Sequence, residues 1–263
     1  MWLYCGVYEY MSNNEIYPAH TTVKKGLHGK DVEHYRHILE RDPYNAEAHF
    51  LLGHAYCSCV WSDMDFSLLV KASGEFKQAG RILLKSNNLE DSKSALAFVL
   101  KLKGNDAEAH FLLGVIFHDS RQLEEAQLHY EMAISLNPKD AKAHNNLGIL
   151  YSDKGMLNDA LSEYHIALKL DPHKNNARFN LALAHYKLGQ HKKSIEVYRE
   201  VIKLNPLDSH AHFNLALSYY HTREVSQAAK HAELAKKLGF DNQKVEQLLL
   251  VLSKQSPTQQ ASK

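Results

Sequence analysis

Residues 141–174 read AKAHNNLGILYSDKGMLNDALSEYHIALKLDPHK, and residues 175–208 follow the same pattern as NNARFNLALAHYKLGQHKKSIEVYREVIKLNPLD. Three dipeptides mark the ends of successive periods at intervals of 34 residues: Asn137-Pro138, Asp171-Pro172 and Asn205-Pro206. Small residues occupy fixed columns between them, one of which consists of Gly114, Gly148, Ala182 and Ala216. Because small residues at a fixed spacing let two helices approach closely, each period predicts one helix hairpin.

The helix limits follow from the turn residues within residues 141–174. A first helix runs to about Asp153, Gly155 breaks it, and a second helix from about Asn158 ends before Pro172. One face of the first helix carries residues at i, i+3, i+4 and i+7: His144, Leu147, Gly148 and Tyr151. A single hairpin cannot bury that face, so the pattern predicts a stack of hairpins.

At these positions the sequence resembles the tetratricopeptide repeat (TPR) family. The matching residues of two consecutive repeats are Leu113, Gly114, Phe117, Ala126, Tyr130, Ala133 and Pro138, then Leu147, Gly148, Tyr151, Ala160, Tyr164, Ala167 and Pro172. The resemblance implies an all-α fold, a right-handed TPR α-solenoid in which antiparallel helix hairpins stack into a superhelix with their first helices on the concave side. The chain departs from the family where a Trp or bulky apolar residue is usual; the corresponding residues are His49, His110, His144, Arg178 and His212.

The repeat pattern also divides the chain into segments. We expect a flexible N-terminal segment (1–25), divergent TPR-like repeats (26–106), four regular repeats (107–242), a capping helix (243–254) and a disordered tail (255–263). The divergent part is short, because Pro43 precedes Pro138 by 95 residues, seven fewer than three periods. We place the deficit between Trp61 and Ala72, which predicts one shortened repeat.

Composition argues against several classes of protein. Lys and Arg number 31 against 30 Asp and Glu, and a net charge of +1 gives no general attraction to nucleic acid. The three cysteines, Cys5, Cys57 and Cys59, cannot form a disulfide framework or complete a zinc site, which favours a cytoplasmic location. No run of eighteen apolar residues occurs, so no membrane span is expected. The opening MWLYCGVYEY has no basic residues before it and is too short for a secretory signal.

The concave face implied by the resemblance is the candidate binding groove. Its residues mix aromatic, aliphatic and polar groups, which suits an extended peptide or a partner helix. The candidate groove residues are Asn145, Asn146, Asn180, Asn214, Phe111, Phe179, Phe213, Tyr186 and Tyr220. Their phenylalanines either form pockets for ligand side chains or pack between repeats. The Lys and Asn carboxylate clamp of chaperone-binding TPR domains has no match, so chaperone C-termini are not expected as partners.

Three asparagines recur at intervals of 34 residues in these first helices. Asn146, Asn180 and Asn214 lie two residues beyond the predicted buried face, a turn of roughly 200°, and are expected to be exposed. Because an amide both donates and accepts, such a column can hold a peptide backbone without reading its sequence. It is similar to the asparagine ladder of O-linked N-acetylglucosamine transferases. The alternative is that these amides pair adjacent repeats.

Histidine is abundant, with 18 residues, and suggests metal binding or pH sensing. Four of them, which we call the packing column, occupy equivalent packing positions: His49, His110, His144 and His212. They lie one repeat apart, roughly 10 Å, which is too far to share a metal. No His-Glu-x-x-His pattern occurs either. Bonded, buried imidazoles are therefore expected, with no metal and no cofactor. A pH-dependent loosening of the array stays open as a hypothesis.

No catalytic constellation lies outside the repeats, so the sequence predicts a non-enzymatic scaffold or adaptor that binds a protein or extended peptide in the groove. One alternative is a substrate-recognition subunit of an O-linked glycosyltransferase-type system. The other is a self-assembling structural scaffold resembling the magnetosome-associated TPR proteins. Charge is uneven, since residues 107–140 carry six acids and two bases, and residues 175–208 carry six bases and three acids. Such a dipole can orient a partner or promote self-association by head-to-tail stacking, and the alternative, which we favour, is that these charges lie on solvated outer faces.

Overall fold

A computed structural model describes residues 28–63 and 65–255. These residues form thirteen α-helices and no strand, which confirms the predicted all-α class. The predicted flexible segment 1–25, and all but the first residue of the predicted tail 255–263, lie outside the described residues. Within the described part, no helix combines the length and the apolar character needed to cross a membrane.

The chain divides into two compact units, Met1–Pro138 and Lys139–Lys263. The first unit contains α1 (His28–Arg41), α2 (Ala46–Asp63), α3 (Ser67–Lys85), α4 (Leu89–Leu102), α5 (Ala107–Asp119) and α6 (Leu123–Leu136). The second contains α7 (Ala141–Asp153), α8 (Leu157–Leu170), α9 (Asn175–Lys187), α10 (His191–Leu204), α11 (Ser209–His221), α12 (Val225–Lys237) and α13 (Asn242–Gln255). From α5 to α12 every helix has 13 or 14 residues, as a regular repeat requires.

Close packing within each hairpin explains the column of small residues. A Cβ atom added at Gly114 would lie 2.6 Å from the Tyr130 ring. The same atom at Gly148 would lie 2.6 Å from the Tyr164 ring. Both tyrosines are buried, and each follows its glycine by sixteen residues. The first helix has no side chain at this position, and the aromatic ring of the second helix therefore lies directly against its backbone.

One helix of the first unit belongs to two hairpins, and this accounts for the missing seven residues. A Cβ atom at Gly80 in α3 would lie 2.8 Å from Leu96 in α4, again sixteen residues later. A Cβ atom at Gly53 in α2 would lie 2.9 Å from Phe76, which is in α3 and follows by 23 residues. Thus α3 is the second helix for α2 and also the first helix for α4. The chain uses three helices here where two regular repeats use four.

The helix ends follow from capping residues and from glycines in the left-handed region. Asp140 Oδ1 accepts hydrogen bonds from the backbone N–H groups of Lys142 (2.8 Å) and Ala143 (3.3 Å) and so caps α7. Gly155 has φ +76°, which reverses the chain between α7 and α8 as the sequence predicted. At the end of the chain, α13 buries Val245, Leu248 and Leu252, whereas Leu250 is 58% exposed.

Candidate peptide-binding face of the second unit

Three contacts join the first helices of neighbouring hairpins in the second unit. Asn180 Nδ2 in α9 donates to Asn145 Oδ1 in α7 over 3.2 Å. Lys187 Nζ in α9 donates to Ser152 Oγ in α7 over 3.0 Å. The Tyr186 hydroxyl lies 3.1 Å from His221 Nε2 in α11. Each contact joins residues 35 positions apart. We call the surface of α7, α9 and α11 that carries these residues the inner face.

The asparagines of the inner face form a short network. Asn145 is buried, and its Nδ2 donates to Asn146 Oδ1 over 3.2 Å while its Oδ1 accepts from Asn180. Asn146 and Asn180 are half-buried. Within the described residues, Asn146 Nδ2 and Asn180 Oδ1 make no hydrogen bond, which leaves one donor and one acceptor on adjacent helices. Asn214 is separate, because its Nδ2 donates to His210 O of its own helix over 3.0 Å.

The candidate aromatic residues differ in what they contact. Phe213 is 9% exposed and stacks on Phe240 with ring centroids 4.3 Å apart, so its ring packs within the second unit. Phe179 is half-buried and meets the edge of Tyr198 at 5.4 Å. In the first unit, Phe111 is half-buried and lies 6.1 Å from the Tyr130 ring. Phe213 therefore packs within its unit, whereas pocket formation by Phe179 and Phe111 stays a prediction.

The end of the inner face carries a cluster that sequence reasoning missed. His191 and His221 stack with centroids 4.4 Å apart and planes within 10°. Tyr186 meets the edges of both rings, at 5.3 Å and 5.5 Å, and Tyr220 lies 5.3 Å from His221. We call Tyr186, His191 and His221 the imidazole cluster. Burial and then the neighbouring His221 lower the pKa of His191, and burial raises the pKa of Tyr186.

The predicted packing column consists of bonded side chains. His144 Nδ1 lies 2.6 Å from Glu163 Oε2, and His212 Nδ1 lies 3.0 Å from His231 Nδ1. His212 Nε2 also lies 3.0 Å from Pro206 O in the preceding turn. The structure therefore confirms bonded imidazoles at these positions. In the described part of the chain, no three His, Cys, Asp or Glu residues are grouped so that they could hold a metal.

The two units differ in charge. Residues 139–263 contain 18 Lys and Arg against 12 Asp and Glu, a net of +6, whereas residues 1–138 contain 13 against 18, a net of −5. The sequences of α7, α9 and α11 contain one carboxylate, Asp153, against the cations Lys142, Arg178 and Lys187. The helices that carry the inner face are therefore nearly free of acidic residues.

Comparison with protein families decides what kind of repeat this is. The family described as TPR repeat matches residues 116–155 and 184–222, and the family described as Tetratricopeptide repeat matches residues 141–174. The chain is a tetratricopeptide repeat protein. This confirms the resemblance found in the sequence. The TPR fold also supports a role as a protein-interaction scaffold.

Solved TPR structures share the fold. The chain is similar to pilF of Pseudomonas aeruginosa, with a TM-score of 0.64 and 23% identity over 71% of this chain and 85% of that one. It is similar to MamA, with a TM-score of 0.58 and 22% identity over 63% of this chain and 91% of that one. It is also similar to YrrB, described as a TPR protein with an unusual peptide-binding site, with a TM-score of 0.59 and 16% identity over 85% of this chain and 99% of that one. No curated protein sequence gives a significant match.

Proposed function

We propose that this TPR protein is a non-enzymatic scaffold or adaptor that binds an extended segment of a partner protein on the inner face of its second unit. The observation that carries the proposal is the pair of unengaged amide atoms, Asn146 Nδ2 and Asn180 Oδ1, on helices joined through Asn145. A peptide group presents one acceptor and one donor, so this pair matches a peptide backbone. The peptide-binding site named for YrrB is consistent with this role.

The amide pair gives the proposal a direct test. The protein is purified from its native cell beside an Asn146/Asn180/Asn214→Ala variant, and the retained proteins are identified by mass spectrometry. A matched control removes three exposed amides from second helices and the terminal helix, as Asn158/Gln227/Gln247→Ala. We expect partners to be lost by the first variant and kept by the control, with helical circular dichroism unchanged in both. Equal retention by both variants would refute binding through the inner-face amides.

Self-assembly is a second candidate, supported by the net charges of −5 and +6 on the two units. Static light scattering tests it: a mass that rises with protein concentration in low salt and falls in high salt supports association through these charges, and a constant monomer mass refutes it. The glycosyltransferase-type subunit stays a prediction of the sequence.

Two properties of the chain belong to the same proposal. A cytoplasmic location is supported by Cys57 and Cys59, which are buried thiols rather than parts of a disulfide framework. A protein partner rather than nucleic acid is supported by the overall net charge of +1.

A further inference from the structure

The inner face has an electrostatic character that bears on its ligand. Its helices carry Lys142 and Lys187 but only one acid, Asp153, which lies exposed in the last turn of α7. The second unit as a whole has a net charge of +6. Such a surface attracts acidic segments and disfavours basic ones, because complementary potentials steer association and like charges oppose it.

The imidazole cluster supplies polar groups that its own surroundings leave unused. The Nδ1 atom of His191 is buried and has no hydrogen-bond partner within the described residues. His221 is exposed, and its Nε2 is held by the Tyr186 hydroxyl. The ring of Tyr220 also contacts the cluster, through His221. Imidazole N–H and phenol O–H groups can donate hydrogen bonds to a carboxylate.

We propose that the inner face binds acidic extended peptides and that the imidazole cluster holds one of their carboxylates. This inference rests on the proposed function, because it assigns a chemical class to the peptide bound at the same face. The occupant is a segment of a partner protein. Lys187, the residue after Tyr186 in α9, donates from its Nζ to Ser152 Oγ in α7 and so adds a cation to the inner face.

The spacing along α9 sets the register of such a peptide. Asn180 and Tyr186 are six residues apart in one helix, which places them roughly 9 Å apart along its axis. An extended chain advances about 3.3 Å per residue. The acidic side chain therefore lies about three residues from the peptide group held by Asn146 and Asn180.

Fluorescence anisotropy of the full chain with two labelled decapeptides tests the preference for acid. The probes are fluorescein-labelled (Ser-Glu)5 and its uncharged counterpart (Ser-Gln)5, each titrated in 50 mM and 300 mM NaCl. We expect (Ser-Glu)5 to bind at least tenfold more tightly in low salt, and this advantage to shrink in high salt. Equal affinities for the two peptides would overturn the acidic preference.

A pair of matched variants tests the role of the cluster. His191/His221→Gln removes both imidazoles of the cluster, whereas His165/His173→Gln removes two exposed imidazoles elsewhere in the second unit. We expect the first variant to bind (Ser-Glu)5 at least fivefold more weakly and (Ser-Gln)5 unchanged, and the second to match the parent. Unchanged (Ser-Glu)5 binding by the first variant, or equal weakening by both, would overturn the assignment. Tyr186→Phe keeps the ring, so weaker (Ser-Glu)5 binding by this variant is also expected.

The same assay separates this inference from the proposed function. If Asn146/Asn180→Ala weakens both probes equally and the probes bind alike, the backbone interaction stands and the acidic preference fails. If neither probe binds at millimolar concentration, both fail. A third outcome is that the anisotropy of the labelled peptide first rises and then falls as more protein is added. The acidic first unit of a second copy then displaces the peptide and is the occupant, which overturns the assignment to a partner protein.

Discussion

Alanine at Gly148 tests whether the small column exists for close packing. In an exposed helix interior, Gly→Ala stabilises by about 0.5–1 kcal/mol, because glycine loses more backbone entropy on folding. At Gly148 the new Cβ would lie 2.6 Å from Tyr164, which is 0.8 Å inside the 3.4 Å at which ordinary contact begins. Relieving such overlap in a packed core costs about 1–3 kcal/mol. The overlap should therefore outweigh the gain in helix propensity.

The equivalent residue in the next repeat narrows the expected loss of stability. Ala182 occupies the position of Gly148 and lies sixteen residues before Tyr198, which is fully buried. The hairpin can thus accommodate a methyl group opposite a tyrosine when its helices are adjusted to it. We therefore take the lower half of the packing cost and expect Gly148→Ala to lower the free energy of unfolding by about 1 kcal/mol.

The matched control is Gly74→Ala in α3, because a Cβ added there meets nothing within 4 Å. This control should raise the free energy of unfolding by about 0.5–1 kcal/mol. Urea unfolding followed by circular dichroism at 222 nm measures both. Hydrogen exchange of the α7 and α8 amides adds a local measurement, since repeat arrays can open one hairpin at a time. A Gly148→Ala protein as stable as Gly74→Ala would refute the packing argument.

Three other predictions concern buried polar groups and are checked by urea unfolding or thiol labelling. Burial and then its partner imidazole lower the pKa of His231 to about 4, so stability should fall as the pH drops below about 6.5; His231→Gln, which removes this imidazole, should remove part of that fall. Asp106 caps α5 and its Oδ2 accepts from Lys77 Nζ at 2.7 Å, so Asp106→Ala should cost about 1–3 kcal/mol and Asp106→Asn, which keeps the cap, less. Burial raises the pKa of Cys57 to about 12, so Cys57 and Cys59 should resist alkylation in the native protein and react in urea, as mass spectrometry can show.

The fold could be predicted from the sequence because the close packing of its hairpins depends on a few residue types at fixed positions. A glycine and a tyrosine sixteen positions apart specify the approach of two helices, and the pair recurs with the period of the repeat. The dual role of α3 could not be predicted in the same way. Counting residues revealed the deficit of seven, but it could not show that Phe76 replaces Leu69 opposite Gly53.

The candidate site was predictable only in part, because contacts between hairpins depend on the rotation of each helix. The asparagine column was visible from spacing, yet Asn180 is bonded to Asn145 rather than standing apart, and Asn214 turns back onto its own helix. The stacking of His191 on His221 joins the start of a second helix to the end of the next first helix. No periodic pattern within one helix specifies that meeting.

Polar residues replace the family's usual Trp or bulky apolar residue near the start of the first helices, and their contacts give a physical reason for this departure. His49, Arg178 and His212 each contact the carbonyl oxygen of a proline six residues earlier. Each also binds a side chain of the helix that follows: Glu75, Glu200 and His231. A residue that makes both contacts offers one polar atom to the turn before its helix and another to the helix after it. Imidazole and guanidinium satisfy both demands, whereas an aliphatic side chain satisfies neither. His49 and His212 therefore have a structural role that needs no bound metal: each joins the turn before its hairpin to the second helix of that hairpin.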